Sequence, residues 1–261
     1  MRSFSDITYG KLGHTLQKLD IHLPDSDGSA PVFVYFHGGG IERGDKATPK
    51  CLAAAESVTK RGIAFISANY RMYPDAEYPD FIEDAAEAVG WVFKNIDKYC
   101  TPDGIYVGGS SAGGYISMML CFDNGWLSKF GISPLDIRGF IHDAGQPTAH
   151  FNVLKYKGID PRRVIIDETA PIYHIGTQEK YPPMLFLVSD HDMEARYEQT
   201  MLTVATLKHF GHTEPSVKVR LMPNTTHCKY GNDENGVPVF ANIICEFIKE
   251  HKKSKSDSFL P

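Results

Sequence analysis

Short, wholly apolar runs recur along this chain, separated by amphipathic or polar stretches. Residues 31–36 read PVFVYF and residues 184–189 read MLFLVS. These runs lack the two-residue alternation of a strand with one wet face, so each marks a strand buried on both sides. A chain with several such strands must also supply helices to cover both faces of one sheet. Residues 80–96 do this most clearly, with Ile82, Ala85, Ala86, Val89 and Phe93 near one helical face. Residues 49–61, 115–122, 196–210 and 239–251 also read as helical; residues 16–23, 63–69, 104–107, 137–143 and 217–222 read as further strands. The alternation predicts an α/β fold: a mostly parallel central sheet with helices on both faces. The length of 261 residues suits one such domain. Residues 146–180, rich in Pro, Tyr, His and charge, break the rhythm and read as a small cap-like insertion within the single domain 1–261.

Composition removes other classes. With 42% hydrophobic and 23% charged residues the chain is neither disordered nor fibrous. No apolar run approaches the length of a membrane span, and the opening MRSFSDITYGKLG carries no apolar signal core. A net charge of −5 without a basic stripe argues against nucleic acid. The basic stretch 251–255 reads as a solvated terminus. The five cysteines (Cys51, Cys100, Cys121, Cys228 and Cys245) form no CxxC pair, which points away from disulfides or a zinc ribbon and toward a reducing, cytoplasmic setting. Cys121 and Cys245 read as core thiols.

The chemistry concentrates in glycine-rich turns. Gly109-x-Ser111-x-Gly113 lies between a strand and a helix, the context in which a serine is lifted above a sheet as a nucleophile. Ser110 is a rival, but its +2 neighbour is Ala112 rather than glycine. His37-Gly38-Gly39-Gly40 follows PVFVYF, where closely approaching backbone amides would stabilise an alkoxide together with the amide of Ala112. A serine hydroxyl needs a base. His227 follows the strand at 217–222, at an end where α/β sites assemble, and it comes after the expected acid in the Ser–Asp–His order. Ser189-Asp190-His191-Asp192 offers two candidate acids; the reach needed to turn back over the sheet favours Asp192 over Asp190.

Taken together these residues resemble the hormone-sensitive-lipase-like esterase branch of the α/β hydrolases. The resemblance is carried by HGGG at 37–40, Gly44-Asp45-Lys46, Asn69-Tyr70-Arg71 with Pro74 and Pro79, the helix from Glu83 to Trp91, GSSAGG at 109–114, Ala170-Pro171-Ile172-Tyr173 and His227. It implies the α/β-hydrolase fold and serine ester hydrolysis without metal or cofactor. It also implies catalytic Ser111, Asp192 and His227, with Gly39, Gly40 and Ala112 as oxyanion donors and Gly38, expected to line the substrate site, as the neighbouring alternative. Ser110 stands where the branch commonly has Asp, and long N-terminal cap helices are missing, as in compact feruloyl and acetyl-xylan esterases.

The expected partner is a small-molecule ester, not nucleic acid or membrane; self-association is left open. Gln146, with Tyr156 and Tyr173 nearby in sequence, suggests a polar–aromatic surface for a short acyl ester or an acylated sugar. Cys228, beside His227, is expected at the site. Two alternatives remain at this stage: an amide or formamide hydrolase resembling kynurenine formamidase, and a non-catalytic binding module on the same fold.

Overall fold

The computed structural model of the chain describes residues 1–26 and 28–252. The tail expectation from Lys253 onward lies outside the described residues, as does Asp27 in the turn after the second strand. The strands are β1 (Arg2–Thr8), β2 (Lys18–Leu23), β3 (Ala30–Phe36), β4 (Ala64–Ala68), β5 (Pro102–Ser110), β6 (Phe140–Asp143), β7 (Met184–His191) and β8 (Val217–Thr226). They form one sheet in the order β1-β2-β4-β3-β5-β6-β7-β8. β1 and β2 pair antiparallel, as do β2 and β4, and every pairing from β4 to β8 is parallel.

The helices are α1 (Pro49–Thr59), α2 (Asp80–Asn95), α3 (Ala112–Phe122), α4 (Asn124–Ser128), α5 (Phe151–Tyr156), α6 (Arg196–His209) and α7 (Val239–His251). Side chains of β3 sort them into layers. Val32, Val34 and Phe36 pack in the core that includes α2 and α3, whereas Phe33 and Tyr35 join the core under α1 and α7. A strand sandwiched in this way is apolar on both faces, which is why PVFVYF shows no alternation. Residues 146–180 contribute α5 and a short 3-10 turn at Pro171–His174 between β6 and β7.

The structure departs from the sequence reading in several places, among them the unforeseen short helices α4 and α5. β1 was not foreseen, because RSFSDIT is almost wholly exposed and forms the sheet edge with no apolar periodicity. α3 begins at Ala112, three residues before the expected start, since burial of every residue from Ala112 to Phe122 overrides the weak helix propensity of Gly113 and Gly114. Cys121 is buried as expected, and Cys245 is half-buried, packed against the core that includes α1 and α7.

The motif around Asn69-Tyr70-Arg71 braces the sheet from one edge. Arg71 pairs with Asp84 of α2, whose carboxylate is 1% exposed and also accepts from the Arg71 amide and from Gln17 Nε2. Removing one partner of a buried pair leaves an uncompensated charge. Arg71→Ala should therefore lower unfolding free energy by about 3 kcal/mol or more, read as a reduced urea midpoint at unchanged slope.

Candidate active site

The C-terminal ends of β3, β5, β6, β7 and β8 converge, and each delivers one part of the site. β5 ends at Ser110, and Ser111 turns the chain into α3 at φ +56° and ψ −113°. That conformation is strained for a residue with a side chain and costs about 1–3 kcal/mol. The flanking glycines explain how it is held. A Cβ on Gly113 would lie 2.0 Å from the Phe36 carbonyl oxygen, and one on Gly109 would lie 2.4 Å from the Gly113 carbonyl oxygen. Strand and helix cross at backbone contact, so only glycine fits at −2 and +2.

β7 leads into Asp192 and β8 into His227, the candidate acid and base. His227 Nδ1 lies 2.5 Å from Asp192 Oδ1, and Nε2 lies 2.8 Å from Ser111 Oγ. The carboxylate can only accept, so Nδ1 carries the proton and Nε2 accepts from the serine hydroxyl. The Asp192 carboxylate is 1% exposed. Burial pushes its pKa up, but hydrogen bonds from His227 and from the amides of Met193 and Ser189 outweigh this and hold it below the ordinary carboxylate value. Asp190 does different work: it accepts from the amides of Asn224 at 2.7 Å and Thr225 at 3.1 Å, fastening the loop that presents His227. Ser110, the rival nucleophile, is buried and donates to Asp143.

The glycine loop after β3 faces Ser111. A Cβ on Gly38 would stand 3.1 Å from Ser111 Cβ, so this glycine seals the floor beside the nucleophile. Gly39 and Gly40 adopt φ +126° and +68°, and their amides donate to no acceptor among the described residues. Ala112, as the first residue of α3, likewise has no intrahelical acceptor for its amide. Their carbonyls are occupied instead: Gly39 O accepts from the Glu42 and Arg43 amides, and Gly40 O accepts from Asn152 Nδ2 at 2.6 Å. His37 stacks on Tyr70, bonds the Gly38 carbonyl through Nδ1, and has its pKa lowered by burial, so it shapes the loop as a neutral ring. Asn69 takes the Lys46 amide and reaches Asp45, which ties the Gly44-Asp45-Lys46 turn to the same brace.

These groups open onto a cleft of about 520 Å³ lined by Gly38, Gly39, Gly40, Phe151, Met193 and Cys228, with Arg43 and Lys50 on its rim. Gln146 is not brought to this cleft. It is 6% exposed and bonds Thr148 Oγ1, the Ala149 carbonyl and the Phe151 amide within its own loop, so its polar groups hold the segment that positions Phe151. Tyr156 and Tyr173 are also elsewhere; Tyr156 stacks on Tyr73. Asn152 and Met193 were not singled out from sequence, because the six-residue helix α5 and the turn after β7 that carry them are too short to show a period.

The comparisons with known proteins agree with this architecture. The BD-FAE family model matches residues 19–130, from β2 through the nucleophile turn and α4. An Arabidopsis thaliana protein named as a probable isoprenylcysteine alpha-carbonyl methylesterase is 35% identical over 119 residues, 45% of this chain and 27% of that protein. The carboxylesterase NlhH of Mycobacterium tuberculosis is 40% identical over 91 residues, 34% of this chain and 28% of the relative. The chain thus spans only about a quarter of the length of the curated relatives it matches. Among solved structures, a truncated carbohydrate esterase from gut microbiota superposes with a TM-score of 0.75 at 18% identity, covering 97% of both chains. The Thermogutta terrifontis esterase Est2 in its propionate-bound form gives 0.70 at 19% identity, covering 94% of this chain and 93% of that one. The chain has the α/β-hydrolase fold. Over the matched stretches its sequence is similar to the BD-FAE family and to proteins named as carboxylesterases and carboxylic ester hydrolases. No described helix of the chain is long and apolar enough to cross a membrane.

Cys228 reaches the cleft at φ +54°, with its carbonyl accepting from Lys50 Nζ at 2.6 Å. Burial, and then the nearby Asp143 carboxylate, push its thiol well above the ordinary range. The thiolate is the reactive form. Maleimide labelling of Cys228 in the folded protein should therefore be slow near neutral pH and rise steeply with alkalinity, as read by peptide mapping; rapid labelling at pH 7 would contradict the burial. Asp192→Asn should lower kcat by about 10⁴ through the wrong imidazole tautomer, whereas Asp190→Asn, which disturbs only the loop fastening, should cost far less.

Proposed function

We propose that this chain is a serine carboxylic ester hydrolase for short acyl groups, working through an acyl-Ser111 intermediate. The observation that carries the reading is the Ser111–His227–Asp192 relay, at 2.8 and 2.5 Å, facing amides that donate to nothing else. Ser111 Oγ attacks the ester carbonyl as its proton passes to His227 Nε2. Asp192 keeps the ring oriented and balances the imidazolium. The carbonyl oxygen gains negative charge between the amides of Gly39, Gly40 and Ala112; one such donor is worth about 3–4 kcal/mol of barrier. Collapse expels the alkoxide, which takes the proton from His227. Water, deprotonated by His227, then attacks the acyl-serine, and the acid leaves as Ser111 recovers its proton.

The named relatives support the reaction class, being a methylesterase and a carboxylesterase by their names. A cleft of about 520 Å³, partly walled by Phe151 and Met193, has room for a small acyl ester. Its charged rim and the fold shared with a carbohydrate esterase keep acylated sugars within the substrate class. The binding-module reading loses ground because His227 is present and bonded to Ser111.

The test is a series of p-nitrophenyl acetate, butyrate, octanoate and palmitate with wild type and Ser111→Ala, alongside a formamide substrate. The expected result is kcat/KM highest for acetate or butyrate, falling for longer chains, and reduced by several orders of magnitude in the variant. Equal rates in both proteins would overturn the reading; faster formamide turnover would move it to amide hydrolysis.

A further inference from the structure

Behind the nucleophile lies a carboxylate that the mechanism above does not use. Asp143 ends β6, is 0% exposed, and pairs in register with Ser110 across the β5–β6 ladder. Its backbone carbonyl accepts the Ser111 amide at 2.7 Å. One carboxylate oxygen accepts from the Ser110 hydroxyl and the other from the Tyr230 hydroxyl, both at short range. Ser110 in turn accepts from the Tyr35 hydroxyl at 3.0 Å.

The protons can be counted. Tyr35 donates to Ser110, Ser110 donates to Asp143, and Tyr230 donates to Asp143, so each of the three hydroxyl protons has an acceptor and the chain ends on a group that can only accept. An ionised Asp143 satisfies this arrangement completely, with two charge-assisted bonds. Burial raises its pKa, and Lys50 of α1 acts most strongly against that, ahead of the two hydroxyls and His227.

The two donors belong to different halves of the site. Ser110 is the residue before the nucleophile. Tyr230 is three residues beyond His227, on a turn closed by the Lys229 amide on the Thr226 carbonyl. We propose that Asp143 is a positioning residue that locks the Ser111 turn and the His227 loop into one geometry, acting through Ser110 on one side and Tyr230 on the other. The proposal rests on the esterase reading. The 2.8 Å contact between Ser111 and His227 joins two segments with no backbone continuity, and Asp143 is the group bonded to both supports. Small misplacements of reacting groups carry large rate penalties.

The experiment measures kcat and KM for p-nitrophenyl acetate in wild type, Ser110→Ala, Tyr230→Phe, Asp143→Asn and the double variant Tyr230→Phe/Asp143→Asn. Active sites are counted by stoichiometric p-nitrophenol release from a p-nitrophenyl phosphonate, so unfolded protein drops out of kcat. Tyr230→Phe and Asp143→Asn should each lower kcat per titrated site about tenfold or more with KM changed by less than about twofold. Replacing Tyr230 when Asp143 is already replaced should then cost almost nothing further, because its effect passes through that carboxylate. Unchanged kcat per site, a change confined to KM, or a Tyr230→Phe penalty equally large with and without Asp143 would overturn the proposal. If Asp143→Asn does not fold, the cycle of Ser110→Ala and Tyr230→Phe decides: a combined loss smaller than the product supports the shared carboxylate, and a full product overturns it. A wild type that releases no p-nitrophenol in either assay would overturn the esterase reading and this proposal together; active wild type with indifferent variants overturns only the proposal.

Discussion

Everything in the site depends on the backbone crossing at Ser111. Strand β5 and helix α3 meet so closely that the Gly113 position leaves no room for a methyl group against the Phe36 carbonyl. That contact forces Ser111 to a positive φ, which aims its hydroxyl out of the sheet and leaves the Ala112 amide free at the head of an 11-residue helix. The turn is locally unfavourable. It persists because both elements are pinned by burial along their length: α3 is buried at every residue, and β5 is paired on both sides.

The other loops solve the problem of placing polar backbone near that turn without collapsing onto it. The glycine loop after β3 must present donors outward, so its carbonyls are taken by Glu42, Arg43 and Asn152, and its histidine ring is clamped against Tyr70. Asn69 and Tyr70, at the end of β4, reach the same loop from the neighbouring strand. A donor held in place before charge develops needs no reorganisation when it does. Asn69 and Tyr70 are thus distant from the glycine loop in sequence yet help fix its geometry.

The sequence exposed those parts of the molecule that obey a period or a steric rule. Buried strands announce themselves as continuous apolar runs, and the glycines at 109 and 113 mark a crossing that no other residue tolerates. His227 could be singled out because β8 delivers it directly at its end. What lay hidden follows neither rule. The edge strand β1 is exposed on both faces, so it carries no pattern. Gln146 looked like a substrate contact because polar residues in a loop draw attention, but each of its bonds turns inward to shape that loop. Asp143 reads as the polar end of a buried strand; only register with Ser110 and the folded-back Tyr230 reveal its partners.

The adjacent carboxylates of Asp190 and Asp192 show why reach, rather than identity, assigns roles at a strand end. Asp190 is still within β7 and points along the sheet toward β8, where free amides at Asn224 and Thr225 meet it. Asp192 lies one residue past the strand, after the ladder register shifts between Ser189 and His191, and curls back so that the Ser189 amide bonds its own carboxylate. That curl buries it under His227 and gives it three donors. An acid anchored by amides on one side can hold the imidazole on the other without moving. The two-residue spacing therefore lets one aspartate fasten the histidine loop while the other fixes the tautomer of its ring.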